Sequence, residues 1–118
     1  MTGKADARSL ILPEPPSANR WWRKFRNRMV LSAEARAYKH MVALRCLEHR
    51  IKPLSGEVVV QLEWYRGRKA GDLDKRIGIV LDALQGSMYG NDAQIVRLEA
   101  DRYEDKANPR LFVSVRAA

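Results

Sequence analysis

The chain has 118 residues, enough for one ordinary domain, and carries 22 Lys and Arg against 14 Asp and Glu, a formal net charge of +8. That balance favours polyanions (DNA, RNA or an acidic membrane surface). No run approaches the ~20 apolar residues of a membrane span, and a single cysteine, Cys46, excludes an internal disulfide.

Met1 to Leu12 shows no signal-peptide pattern, so the expected setting is the cytoplasm with a nucleic-acid partner. Residues 1–8 are expected to be loose. Ser9 to Leu12 is a short apolar strand, ended by Pro13, Pro15 and Pro16, because proline lacks the donor that a strand ladder needs. Ser17 to Met29 reads as a basic, aromatic loop. Ser32 is an N-cap and Glu34 suits the positive end of the helix that follows. There Ala37, Met41, Leu44, Leu47 and Ile51 recur at helical spacing, with Tyr38 and Val42 beside them. Cys46 falls in this apolar pattern and reads as a buried, inert thiol. Pro53 and Gly56 close the helix.

Glu57 to Tyr65 is rich in Val and reads as a strand. Arg66 to Gly71 is a basic connection. Leu73, Ile77, Val80, Leu81 and Leu84 form a second helical stripe, with Gly86 as its stop. After a loop over Ser87 to Asn91, Ile95 to Tyr103 and Arg110 to Val115 read as strands, a hairpin joined across Lys106 to Pro109. The order β-α-β-α-β-β predicts one α+β domain over residues 1–118, a mixed sheet packed against two main helices.

Carboxylates gather in one region of this basic chain. In an extended segment, residues two apart project to one side, so Asp72 and Asp74 converge as the chain enters the second helix. Hard cations such as Mg²⁺ take carboxylate oxygens and keep several waters. Asp92 joins the pair if the loop after the helix folds back. Asp82 lies eight residues beyond Asp74, roughly 12 Å along a helix, too far to share a metal. The competing structural roles are plain: Asp72 as an N-cap, Asp74 as a macrodipole partner, Asn91-Asp92 as a turn.

The segment Arg20 to Arg28 packs five cations among three aromatics. Arg20, Arg23, Lys24 and Arg26 can neutralise phosphates. Trp22 can stack on unpaired bases or wedge into a distorted duplex, and at least one of Trp21 and Trp22 belongs in the core. Arg66, Arg68 and Lys69 precede the acid pair and are placed to grip phosphates. His40 and His49 have no zinc-site partners and read as surface residues.

Gly71-Asp72-Leu73-Asp74, then Asp82-Ala83-Leu84, then Asn91-Asp92-Ala93-Gln94-Ile95, resembles the RusA family of Holliday junction resolvases. Leu12-Pro13-Glu14-Pro15-Pro16-Ser17-Ala18-Asn19-Arg20 and Ser32-Ala33-Glu34-Ala35-Arg36-Ala37-Tyr38 are similar to its N-terminal half. The resemblance implies a homodimeric, Mg²⁺-dependent endonuclease (Mn²⁺ being an alternative) that resolves four-way DNA junctions in recombination and repair, of a kind often carried by prophages. It places the catalytic, metal-binding carboxylates on Asp72, Asp74 and Asp92, with Asp82 in support and Asn19 and Arg20 toward DNA. Water would attack in line with the leaving 3′-oxygen and leave a 5′-phosphate.

Three positions depart from the family pattern. Lys75 follows the second aspartate where Asn is usual, Gly78 stands where a functional lysine is expected, and Asn91 stands where an aspartate is common. Lys75 or Arg76 is then expected to supply the missing positive charge. The alternative is a catalytically silent protein that binds branched DNA or single strands.

Overall fold

Val58–Arg66 (β4) is the strand around which the rest is arranged. Its even-numbered residues Val58, Val60, Leu62 and Trp64 are buried, while Gln61, Glu63 and Tyr65 face the partly open side. Alternation of this kind builds a sheet covered on one face. The computed structural model describes residues 7–118. In chain order the elements are β1 (Arg8–Leu12), β2 (Trp22–Phe25), β3 (Arg28–Leu31), α1 (Ala33–Glu48), β4, α2 (Leu73–Leu84), β5 (Ile95–Glu104) and β6 (Arg110–Ala117). Short 3₁₀ turns occupy Ala18–Arg20 and Asp92–Gln94. Of the eight N-terminal residues expected to be loose, 1–6 lie outside the described residues and Arg8 already opens β1. The expected mixed sheet with two helices is present.

The main sheet has the order β1-β6-β4-β5. β4 runs parallel to β5, with Leu62 opposite Ala100, and antiparallel to β6, with Leu62 opposite Val113. A parallel neighbour needs a crossover, and α2 provides it. The expected β5–β6 hairpin is therefore wrong: β4 lies between the two strands. Residues 105–109 instead pass over the end of β4, where the Asp105 N–H donates to the Arg66 carbonyl at 3.0 Å. Nearness in sequence suggested pairing, but the most apolar strand takes the centre of the sheet, where both its edges are covered.

The segment expected as a loop over Ser17 to Met29 contains a second, two-stranded sheet. β2 and β3 pair with Phe25 opposite Arg28, leaving Arg26 and Asn27 as the turn. Both have positive φ, 47° and 61°, as a two-residue type I′ turn requires. The usual Asn-Gly signal is missing, so the pattern concealed the hairpin. Its outer residues are exposed from Trp22 to Met29, and the ribbon projects from the body.

Helix α1 starts where expected, with the Ser32 hydroxyl accepting from the Ala35 N–H at 3.0 Å. Its buried stripe is different: Ala35, Tyr38, Val42 and Cys46 face the core. Ala37 is exposed, and Leu44 and Leu47 are 47% and 72% exposed. Tyr38 sets the rotation. Its hydroxyl donates to the Pro13 carbonyl at 2.7 Å, and its ring meets Trp21 edge-on at 6.2 Å. Cys46 is buried as expected, and burial pushes its thiol pKa up. No helix among the described residues is long and apolar enough to cross a membrane.

Candidate nuclease site

The chain leaves β4, turns at Gly71 and enters α2 at Asp72. Gly71 has φ +93°, and a Cβ there would sit 2.9 Å from Arg76 Nη2 and 3.3 Å from Trp64. Only glycine meets both demands. Asp72 occupies the N-cap position of α2, yet its side chain makes no capping hydrogen bond. Its Oδ2 instead lies 3.9 Å from Lys75 Nζ, with both groups well exposed. Asp74, in the first turn of α2, is exposed, and its carboxylate has no hydrogen bond or ion pair among the described residues. Neither carboxylate holds the fold together, so the capping role weighed for Asp72 is not the one it plays.

Asp92 lies at the other end of α2. Its backbone N–H donates to Gln85 Oε1 at 3.2 Å, and Gln85 is the C-cap of that helix. Gln85 is eleven residues beyond Asp74, ~16 Å along the axis. No group of three or more His, Cys, Asp or Glu among the described residues is arranged to hold a metal. The loop after α2 thus does not bring Asp92 to the acid pair within one chain. The parallel register explains why: β5 begins beside Val58, at the start of β4, whereas Asp72 follows the end of β4.

The neighbours of Asp92 are tightly built. Asn91 Oδ1 accepts from the Ala93 N–H at 2.8 Å, and Gln94 Oε1 accepts from the Asn91 N–H at 2.9 Å. Asn91 therefore serves as a cap. The Tyr89 hydroxyl donates to the Leu81 carbonyl at 2.6 Å. Burial, and then the Asp92 carboxylate, hold its pKa above the ordinary phenol range.

Asp82 is a structural anchor. Its Oδ2 accepts from the Trp21 indole N–H at 3.0 Å and lies 3.8 Å from Lys39 Nζ. Trp21 is the buried tryptophan and Trp22 the exposed one. Gly78 is exposed, and a Cβ there would have nothing within 4 Å. The glycine is not there to admit another part of this chain.

Arg66, one of the expected DNA contacts, is committed elsewhere. Arg66 is buried, with Nη2 donating to Glu104 Oε1 at 2.8 Å, Nε to Glu104 Oε2, and Nη1 to the Gly71 carbonyl at 3.1 Å. Arg76 is buried over the Trp64 ring and donates to the Pro15 carbonyl at 2.7 Å. Asn19, Arg20, Arg23, Lys24, Arg26, Arg68 and Lys69 are exposed. Phe25 and Met29 stand exposed on the ribbon beside Trp22, and Arg26 lies 5.3 Å over the Phe25 ring. His40 and His49 are on the surface. One residue that sequence reasoning passed over is Glu14. Its Oε2 accepts from the Trp64 indole N–H at 2.8 Å, linking the proline turn to β4. Nothing in Pro-Glu-Pro-Pro signals that partner fifty residues away.

Free carboxylates set in a basic surface, with exposed aromatics on a two-stranded ribbon, are the features of a protein that works on nucleic acid. The family model described as Endodeoxyribonuclease RusA matches residues 13–116. The proteins named Crossover junction endodeoxyribonuclease RusA from Escherichia coli (strain K12) and Shigella sonnei (strain Ss046) are 36% and 35% identical over 92 residues. Each alignment covers 75% of this chain and 76% of the relative. The chain belongs to the RusA family of endodeoxyribonucleases.

Proposed function

We propose that this protein is a Mg²⁺-dependent endodeoxyribonuclease that resolves four-way DNA junctions by paired, symmetric nicks. The observation that carries the reading is the pair of carboxylates at the start of α2, Asp72 and Asp74, both released from structural duty. Mg²⁺ commonly binds through one or two carboxylates and completes its shell with waters and substrate phosphate oxygens, so the donor set fits. When bound, the ion supplies charge stabilisation at the scissile phosphate. Asp72 and Asp74 orient it. Lys75, 3.9 Å from Asp72, places a positive charge beside the same phosphate. Arg76 is withdrawn from that role by its burial. The ribbon carries Arg23, Lys24 and Arg26 to the backbone and presents Trp22 and Phe25 to the unstacked bases of a junction centre.

Asp92 enters the account through a second copy of the chain. β5 is an edge strand, with Val96 and Leu98 exposed. Antiparallel pairing of two β5 strands about Leu98 sets Arg97 opposite the partner's Glu99 and Val96 opposite the partner's Ala100. Opposite charges and apolar pairs both favour that register. The two α2 helices then lie antiparallel on one face, and the Asp92 end of one approaches the Asp72 end of the other. A two-fold dimer also supplies the two sites that paired nicks need. In the cell the protein acts in the cytoplasm, on DNA.

A synthetic four-way junction, incubated with the protein with and without Mg²⁺, tests the reading. Paired nicks that depend on the metal support it. Binding with no cutting under Mg²⁺ or Mn²⁺ leaves the second reading, a silent branched-DNA binder, which Gly78 and the distance of Asp92 favour. Equal affinity for single-stranded RNA or linear duplex would point instead to a general nucleic-acid binder.

A further inference from the structure

A cavity of about 440 Å³ opens beside the acid pair, and three guanidinium side chains, Arg20, Arg68 and Arg76, line it together with Glu14, Asn19 and Gly71. Arg76 is the informative member. It is only 9% exposed, and no carboxylate pairs with it among the described residues. One N–H is spent on the Pro15 carbonyl and the ring face of Trp64 covers one side. A guanidinium has five donors and does not lose its proton in proteins. The Glu14 carboxylate only partly offsets the burial of this guanidinium; a cation this buried is costly unless it is well paired, and this one lines an open cavity.

The remaining charges point the same way. Among the described residues Arg68 has no ion-pair partner, and Arg20 has only an exposed contact to Glu34 at 3.5 Å, which is weak. Glu14 is the one acid in the wall. Its Oε2 is occupied by the Trp64 indole N–H at 2.8 Å and the Gly67 N–H at 3.4 Å. Three guanidiniums against one carboxylate, with one of its oxygens already engaged, leave the wall net positive, and guanidinium forks match phosphate oxygens. The volume lies within the ~300–1,000 Å³ of small-ligand sites, room for a phosphate with its sugar.

We propose that this cavity holds a non-scissile phosphodiester of the DNA strand being cut and so fixes which phosphate meets Asp72 and Asp74. Gly71 lines the cavity and directly precedes Asp72, so the two phosphates are near neighbours on one strand. The proposal rests on the nuclease reading for the strand's identity. The anchor acts in the ground state, before any bond breaks.

The test uses the full chain without divalent cation, so that binding is read apart from cutting. Four-way junctions carry a single uncharged methylphosphonate linkage, moved one position at a time around the cut. At one position the neutral linkage weakens wild-type binding about tenfold. There Arg68→Ala and Arg20→Gln show no further loss, because they already lack the contact, and each lowers the salt slope by about one. Both residues are exposed, so the variants keep the fold. If the neutral linkage costs wild type and variants equally at every position, the subsite does not exist. A parallel assay with Mg²⁺ reads cutting: a chain that cuts but shows no such coupling sinks the subsite alone; a chain that never cuts sinks the nuclease reading, whatever the coupling.

Discussion

The Trp21 indole donates to Asp82 Oδ2 at 3.0 Å, tying the root of the basic ribbon to the last turn of α2. The ring is buried, so the bond cannot be replaced by solvent without disturbing the core. Asp82→Ala should cost about 1–3 kcal/mol, the usual penalty for a buried donor left without an acceptor. Denaturant unfolding checks the magnitude, and faster amide exchange across Trp22–Phe25 checks the location. A change below about 0.5 kcal/mol would mean that the contact anchors nothing.

Gly78 faces open space in the centre of α2. Gly78→Ala should stabilise the protein by about 0.5–1 kcal/mol through helix propensity alone. Gly78→Lys restores a cation on the same outward side of the helix as Asp74. It should raise single-turnover nicking by about tenfold or more, since electrostatic groups at a reacting phosphate act on that scale. An unchanged rate would show that Lys75 already fills the role.

Trp22 and Phe25 are each about half exposed on the ribbon. Replacing either with Ala should leave stability within about 0.5 kcal/mol. Junction affinity should fall by about 1–3 kcal/mol if the ring stacks on a base, and affinity for linear duplex should not. Equal losses on both substrates would make the ribbon a general electrostatic arm.

The sequence was most legible where one force dominates. β4 and α2 follow from their apolar periods, and Ser32 and Gly86 mark helix ends by their own chemistry. Leu44 and Leu47 are exposed although they continue the apolar stripe, because such a stripe does not tell which face the neighbours cover; the Tyr38 contacts to Pro13 and Trp21 decide that. The free state of Asp72 was not legible, since an N-cap aspartate usually does cap. The position of Asp92 depends on the parallel register of β5, a long-range fact that no local pattern carries.

Glu104 is bound by Arg66, which lowers the Glu104 pKa through their hydrogen bonds. A depressed carboxylate adds stability above its unfolded pKa and loses it as pH falls through the folded value. Glu104→Gln should therefore lower Tm at neutral pH, and the gap should close as the pH drops below the ordinary glutamate range. Melting curves at a series of pH values decide it. A constant gap down to the most acid point would show that charge is not the cause.

The most direct measurement mixes two defective chains. Asp74→Asn and Asp92→Asn proteins are each assayed on a labelled four-way junction with Mg²⁺, alone and after co-refolding. Each alone should bind the junction, Asp74→Asn at least as tightly as wild type, and neither should cut. The mixture should regain nicking of a single strand, because one of the two shared sites in a mixed dimer holds Asp72 and Asp74 from one chain and Asp92 from the other. A mixture that forms dimers and binds the junction but stays silent would contradict the shared site.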